Sequence, residues 1–185
     1  MNRAELLVRD MLAYIGESPK REGLVETPAR VVRSWREIYR GYSQDPHKVV
    51  KVFEEESTDE MVILKNIEFC SMCEHHMLPF FGHAHVAYLP AKCGLMGASK
   101  LARIVDIFAR RLQTQERLCT QIADSLMELL TPRGAACMIE AEHFCITSRG
   151  VQKRDARMTT SCLRGVFKLE EKPHIRAEFF NLVKD

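Results

Sequence analysis

Two runs of apolar residues at helical spacing, Leu101, Ile104, Val105, Phe108 and Leu112, then Leu118, Ile122, Leu126 and Leu129, stand between two pairs of strand-like segments. Each helix carries a single apolar stripe, which has to be buried against another layer. The segments 62–69 and 83–89 precede the helices, and 135–146 and 162–169 follow them. This order predicts an α+β domain in which a four-stranded antiparallel sheet is covered on one face by two helices. Ser99 is placed to cap the first helix, and the second ends near Thr131-Pro132-Arg133-Gly134.

Ahead of this domain the spacing predicts a helical extension over residues 1–60, leaving 61–185 as the α+β domain. Leu7, Met11 and Ile15 mark one helix, which Gly16 stops. Thr27 caps a second, Pro28 suits its first turn, and Val31, Val32, Trp35, Ile38 and Tyr39 form its stripe. With 185 residues and 46% hydrophobic content the chain can build one core without disulfides. Seven cysteines, an odd number in no regular framework, fit a reducing compartment, and the expected location is cytoplasmic. Arg3, Glu5, Arg9 and Asp10 interrupt the N-terminus, which has no signal-peptide pattern, and no stretch is long enough to span a bilayer. A formal net charge of +2 does not suggest a nucleic-acid binder, so any anion site must be local.

The chemistry concentrates at Cys73-Glu74-His75-His76, which puts a thiol, a carboxylate and two imidazoles in one short segment. Thiolate and imidazole are the usual ligands of Zn2+, and Cys73 and His76 can turn toward one ion from a tight bend. A third donor is expected from Glu142-His143-Phe144-Cys145. If these residues continue the strand 135–146, alternation puts His143 and Cys145 on one face. Cys73, His76 and Cys145 would leave a fourth tetrahedral position open, the catalytic pattern, with His75 and His143 beside the metal as proton carriers. Cys70 and Cys73 also form a C-x2-C pair, so a closed structural site in an interaction module is a competing reading.

Lys100 and Arg103 project from one helix face next to the free N–H groups of a first turn, a natural anion site, and Arg149 could join them. Glu116, beside Gln115, could accept paired hydrogen bonds from a guanine ring N–H and exocyclic amine; adenine has no such donor pair.

Cys73-Glu74-His75-His76 followed by Pro79-Phe80, His85-Val86-Ala87-Tyr88-Leu89-Pro90, Ser99-Lys100-Leu101-Ala102-Arg103-Ile104-Val105, Gln115-Glu116-Arg117 and Arg149-Gly150-Val151 closely resemble the GTP cyclohydrolase I family. The match runs from about Glu22 to Phe167 and includes Thr27-Pro28. The resemblance implies a tunnelling fold in a large homo-oligomer, typically a decamer of two rings, with active sites at subunit interfaces. It implies that Cys73, His76 and Cys145 hold zinc and Cys70 does not. It also implies that Ser99, Lys100, Arg103 and Arg149 hold the triphosphate of GTP, and that Gln115 and Glu116 contact guanine. His75 and His143 manage protons, with Ser99 a helper in later transfers. The implied reaction begins with protonation of the purine N7 by His143 and attack on C8 by water that zinc has acidified to a pKa of about 7. It ends in formate and 7,8-dihydroneopterin triphosphate. Another tunnelling-fold enzyme acting on a pterin or deazapurine should lack part of the nucleotide-binding set. The chain departs from the family pattern at Ala98, Thr114, Ala156 and Met158, where Leu, Val, Ser and Thr are usual.

Overall fold

The computed structural model describes residues 2–53, 58–91 and 94–184. Backbone contacts divide the chain into two compact units, Met1–Arg40 and Gly41–Asp185. The first unit holds helices α1 (Arg3–Tyr14) and α2 (Thr27–Ile38), which pack on each other. A capping box starts α1: the Asn2 side chain accepts from the Glu5 N–H and the Glu5 carboxylate accepts from the Asn2 N–H, both at 3.0 Å. Gly16, with φ +91°, ends it as expected, since a residue without Cβ enters the left-handed region freely. Thr27 does not cap α2. It is the first helical residue, and Glu26 at the cap position makes no side-chain capping bond.

In the second unit, β1 (Val52–Phe53) pairs with β4 (Leu95–Met96) in a small antiparallel ribbon. The main sheet is built from β2 (Val62–Cys73), β3 (Pro79–Leu89), β6 (Gly134–His143) and β7 (Met158–Gly165), joined by antiparallel ladders. This is the expected tunnelling-fold sheet with one addition. Strand β5 (Leu112–Gln113) pairs in parallel with the end of β2, giving the order β5-β2-β3-β6-β7. Leu112 therefore leaves the helix that its spacing assigned it to. That helix, α3 (Ala98–Ala109), ends three residues before Leu112, and the Gln113 amide reaches back to cap it by donating to the Phe108 carbonyl at 2.9 Å. Nor does Ser99 cap α3. Gly97 holds the cap position, and Ser99 sits exposed in the first turn.

Helices α3 and α4 (Gln115–Leu130) cover one sheet face. Their stripes, with Leu101, Ile104, Leu118, Ile122 and Leu126 at most 1% exposed, meet Ala84, Val86, Tyr88, Cys137 and Ile139. The alternate residues of the same strands, Ala87, Leu89 and Ala136, are buried too. They lie in a second cluster with Ile175, Phe179 and Val183, supplied by or adjoining α6 (Pro173–Leu182). The two covering helices stand as expected, and α6 in addition closes part of the other face. Pro173 followed by Ile175, Phe179 and Val183 at four-residue spacing is the signal for this helix.

Strand boundaries shift at several ends, β2 running on to Cys73 and β3 starting at Pro79. The final strand starts at Met158 and ends at Gly165, whose φ of +56° turns the chain into a short 3-10 segment over Val166–Lys168. Strand β6 stops at His143, and Phe144–Thr147 form a single helical turn, α5. Among the described residues no helix is long and apolar enough to cross a membrane.

Candidate active site

The bend between β2 and β3 brings Cys73 and His76 to the end of the sheet, where α5 begins. The Cys73 N–H donates to the Leu78 carbonyl and the Met77 N–H to the Cys73 carbonyl, both at 2.8 Å, closing a tight loop in which Met77 adopts φ +53°. The loop is also held from outside. Glu74 is bound by the Arg117 guanidinium from α4, whose Nε donates to Gln113 Oε1 at 3.0 Å, and the Glu74 N–H donates to the Gln113 carbonyl at 3.0 Å. Arg117 is thus the support behind the bend. It lies in the Gln115-Glu116-Arg117 motif, but sequence spacing gave no reason to join it to Glu74.

Among the described residues one group offers three clustered metal donors: Cys73, His76 and Cys145, whose ligand atoms all lie within 4.8 Å of one another. Donors around a tetrahedral zinc are separated by roughly 3.6 Å, given Zn–S near 2.3 Å and Zn–N near 2.0 Å. The cluster therefore fits such an ion with a small contraction, and its two thiols and imidazole suit zinc chemically. Cys145 reaches the cluster from α5, not from the face of a continuing strand. The helical turn after His143 brings its Sγ to 4.0 Å from His143 Nδ1. Burial, and next the adjacent Cys73, push the Cys145 thiol pKa up. Cys70 lies on the same strand as Cys73, three positions away. Strand alternation sends it to the opposite face, where it is exposed, and a closed site using both thiols is not formed.

His143 is buried at 7% exposure. Its ring stacks on Phe80, with centroids 4.5 Å apart and planes within 5°, and its Nε2 lies 2.8 Å from Gln115 Oε1. Burial lowers its pKa, and the Glu116 carboxylate partly opposes that shift. His75 is exposed, 3.9 Å from the Glu74 carboxylate. A cleft of about 190 Å³ is lined by Cys73, His75, Glu116, His143, Cys145 and Met158 among others.

The predicted residues therefore separate. Cys73, Cys145, His75, His143 and Glu116 line one cleft, and the His76 ligand atom lies within 4.8 Å of the two thiols. Arg149 places a guanidinium nitrogen 3.1 Å from His76 Nε2. Gln115 also adjoins the cleft, yet it is 1% exposed and both ends of its amide are bonded inside the protein. Ser99, Lys100 and Arg103 lie on α3 and do not line the cleft. Thr114, a departure from the family pattern, caps α4: its hydroxyl accepts from the Arg117 N–H at 3.3 Å. The hydroxyl thus steadies the turn that carries Glu116.

A sheet of tunnelling-fold topology with a Cys-His-Cys cluster that could hold a metal and a buried histidine beside it has the make-up of a metal-dependent enzyme. A family model described as GTP cyclohydrolase I matches residues 4–184, and the chain belongs to that family of hydrolases. Curated relatives agree along nearly the whole length. The GTP cyclohydrolase 1 of Thermoanaerobacter pseudethanolicus is 54% identical over 176 residues, covering 95% of this chain and 93% of that one. That of Wolinella succinogenes is 51% identical over 181 residues, covering 97% and 95%, and that of Acetivibrio thermocellus is 52% identical over 181 residues, covering 98% and 96%.

Proposed function

We propose that this chain is a zinc-dependent, cytoplasmic GTP cyclohydrolase I that converts GTP and water to 7,8-dihydroneopterin triphosphate and formate, the first step of tetrahydrofolate and pterin biosynthesis. The observation that carries the reading is the three-donor cluster of Cys73, His76 and Cys145 beside a buried imidazole, with a carboxylate on the same cleft. Zinc held there would acidify a water for attack on the purine C8.

The chain's own residues would do the rest. Glu116, exposed at the cleft, is suited to accept from the guanine ring N–H and exocyclic amine. His143, its pKa lowered by burial, would give up a proton readily to N7 once charged, making C8 electrophilic. After the ring opens and formate departs, His75 and Ser99 would assist the proton transfers by which the ribose rearranges to a ketose and closes on the pyrimidine amine. Ser99, Lys100, Arg103 and Arg149 would bind the triphosphate. Because Ser99, Lys100 and Arg103 stand apart from the metal cleft, the working enzyme would be a homo-oligomer, a decamer by family resemblance, with active sites between copies.

Incubating zinc-loaded protein with GTP should release formate together with a pterin that fluoresces after oxidation. Absence of both products from folded, zinc-replete protein would rule the reading out. His143→Ala should keep zinc and abolish pterin formation, whereas Cys145→Ala should lose the metal. If Cys70→Ala instead strips zinc, the ligand set is wrong.

A further inference from the structure

Gln115 occupies the first position of α4, a place where a side chain can ordinarily reach solvent, yet it is 1% exposed. Its Nε2 lies 3.0 Å from the Ile139 carbonyl, 2.8 Å from the Met158 carbonyl and 3.1 Å from Thr160 Oγ1. Two of these partners are backbone carbonyls, which only accept. The two ends of an amide look alike in shape, but here chemistry distinguishes them: the atom facing two carbonyls must be the NH2 group. The other end, Oε1, is therefore the atom 2.8 Å from His143 Nε2. A carbonyl oxygen accepts, so Nε2 has to carry the hydrogen.

The ring has little freedom to escape this assignment. Phe80 lies parallel to it at 4.5 Å and fixes its plane. In the neutral imidazole one nitrogen donates and the other accepts. With the hydrogen held on Nε2, the basic lone pair belongs to Nδ1, the nitrogen 4.0 Å from Cys145 Sγ.

We propose that Gln115 is a positioning residue that holds His143 as its Nε2–H tautomer, so that proton exchange with substrate takes place at Nδ1 and the Gln115 side chain does not contact the base. The inference deepens the functional reading, resting on His143 as the proton carrier, and leaves side-chain recognition of guanine at this turn to Glu116. It also gives a physical reason for a glutamine here: a carboxylate would confront two backbone carbonyls without a hydrogen to offer, and an apolar residue would leave them and Nε2–H unpaired in the interior.

Tautomer and turnover can be read separately. In zinc-loaded, full-length protein with 15N-labelled histidine, long-range nitrogen–hydrogen correlations should show the neutral His143 ring, assigned by its loss in His143→Gln, with Nε2 protonated and Nδ1 bare. A ring protonated at Nδ1 overturns the inference, and this measurement needs no variant of Gln115. Gln115→Leu should then lower kcat for pterin formation by about 10- to 100-fold, the range for a supporting hydrogen bond, with zinc content retained and KM for GTP within about twofold. A raised KM with unchanged kcat would instead make Gln115 a contact to the base. Should wild-type protein form no pterin at all, the functional reading fails, while the nitrogen correlations still decide how Gln115 holds the ring.

Discussion

Histidines in this chain differ by what surrounds them. His85, 6% exposed, accepts from the Asn66 N–H at Nδ1. Its pKa is lowered first by burial, then by His83 and Lys65, with Glu140 opposing. The folded protein therefore binds this proton less readily than the unfolded chain. The resulting stability is full above the unfolded histidine pKa of about 6.5 and is lost as pH falls through the lowered folded value. Urea midpoints should drop between about pH 7 and pH 5, and His85→Asn should reduce that dependence. Since His143 shifts in the same direction, some slope should remain; an unchanged slope in His85→Asn would show that His85 is not a source of it. That Cys73, His76 and Cys145 could serve as metal donors was legible only in part: Cys and His offer distinctive ligand atoms at short spacing, but spacing alone left Cys70 as a rival. Gln115 was not, since a glutamine beside a glutamate gives no hint of which one faces inward.

Helix and strand ends carry most of the differences from expectation. Alternation and helical periodicity describe the middles of elements, whereas ends depend on who satisfies the last backbone groups. Gln113 caps α3 from the next strand, and α5 replaces the end of a strand with one helical turn. At the end of α4, Thr131 closes the helix at φ +44°, in the left-handed region. A β-branched residue is strained there. Thr131→Gly should stabilise the protein by about 1 kcal/mol, observable as a rise in Tm of about 2–4 °C. A lower Tm would mean that the threonine side chain contributes more than the strain removes. Gly82 shows the reverse constraint. A Cβ on it would stand 1.9 Å from the Glu140 carbonyl oxygen, so Gly82→Ala should push β3 from β6 and destabilise by about 2–4 kcal/mol in chemical unfolding.

If the enzyme works as a homo-oligomer, the separation of Lys100 and Arg103 from the metal cleft makes a specific demand. If each active site joins α3 of one copy to the cleft of another, Arg103→Ala and His143→Ala chains, inactive alone, should complement when co-expressed. Random pairing at a shared interface restores about a quarter of the sites. No recovery from mixed assemblies of normal size would place both groups in one chain. The α+β class, the two helices over an antiparallel sheet and the residues able to bind zinc follow from the sequence, because apolar periodicity and ligand chemistry are local properties of the chain. The covering of the second sheet face by α6, the arrival of Cys145 on a helical turn, the exclusion of Cys70 and the locking of Gln115 onto His143 emerge with the tertiary structure. Each depends on distant segments meeting, Gln115 with Ile139, Met158 and Thr160 above all, and hydrogen-bond partners so far apart in the chain leave no periodic signal along it.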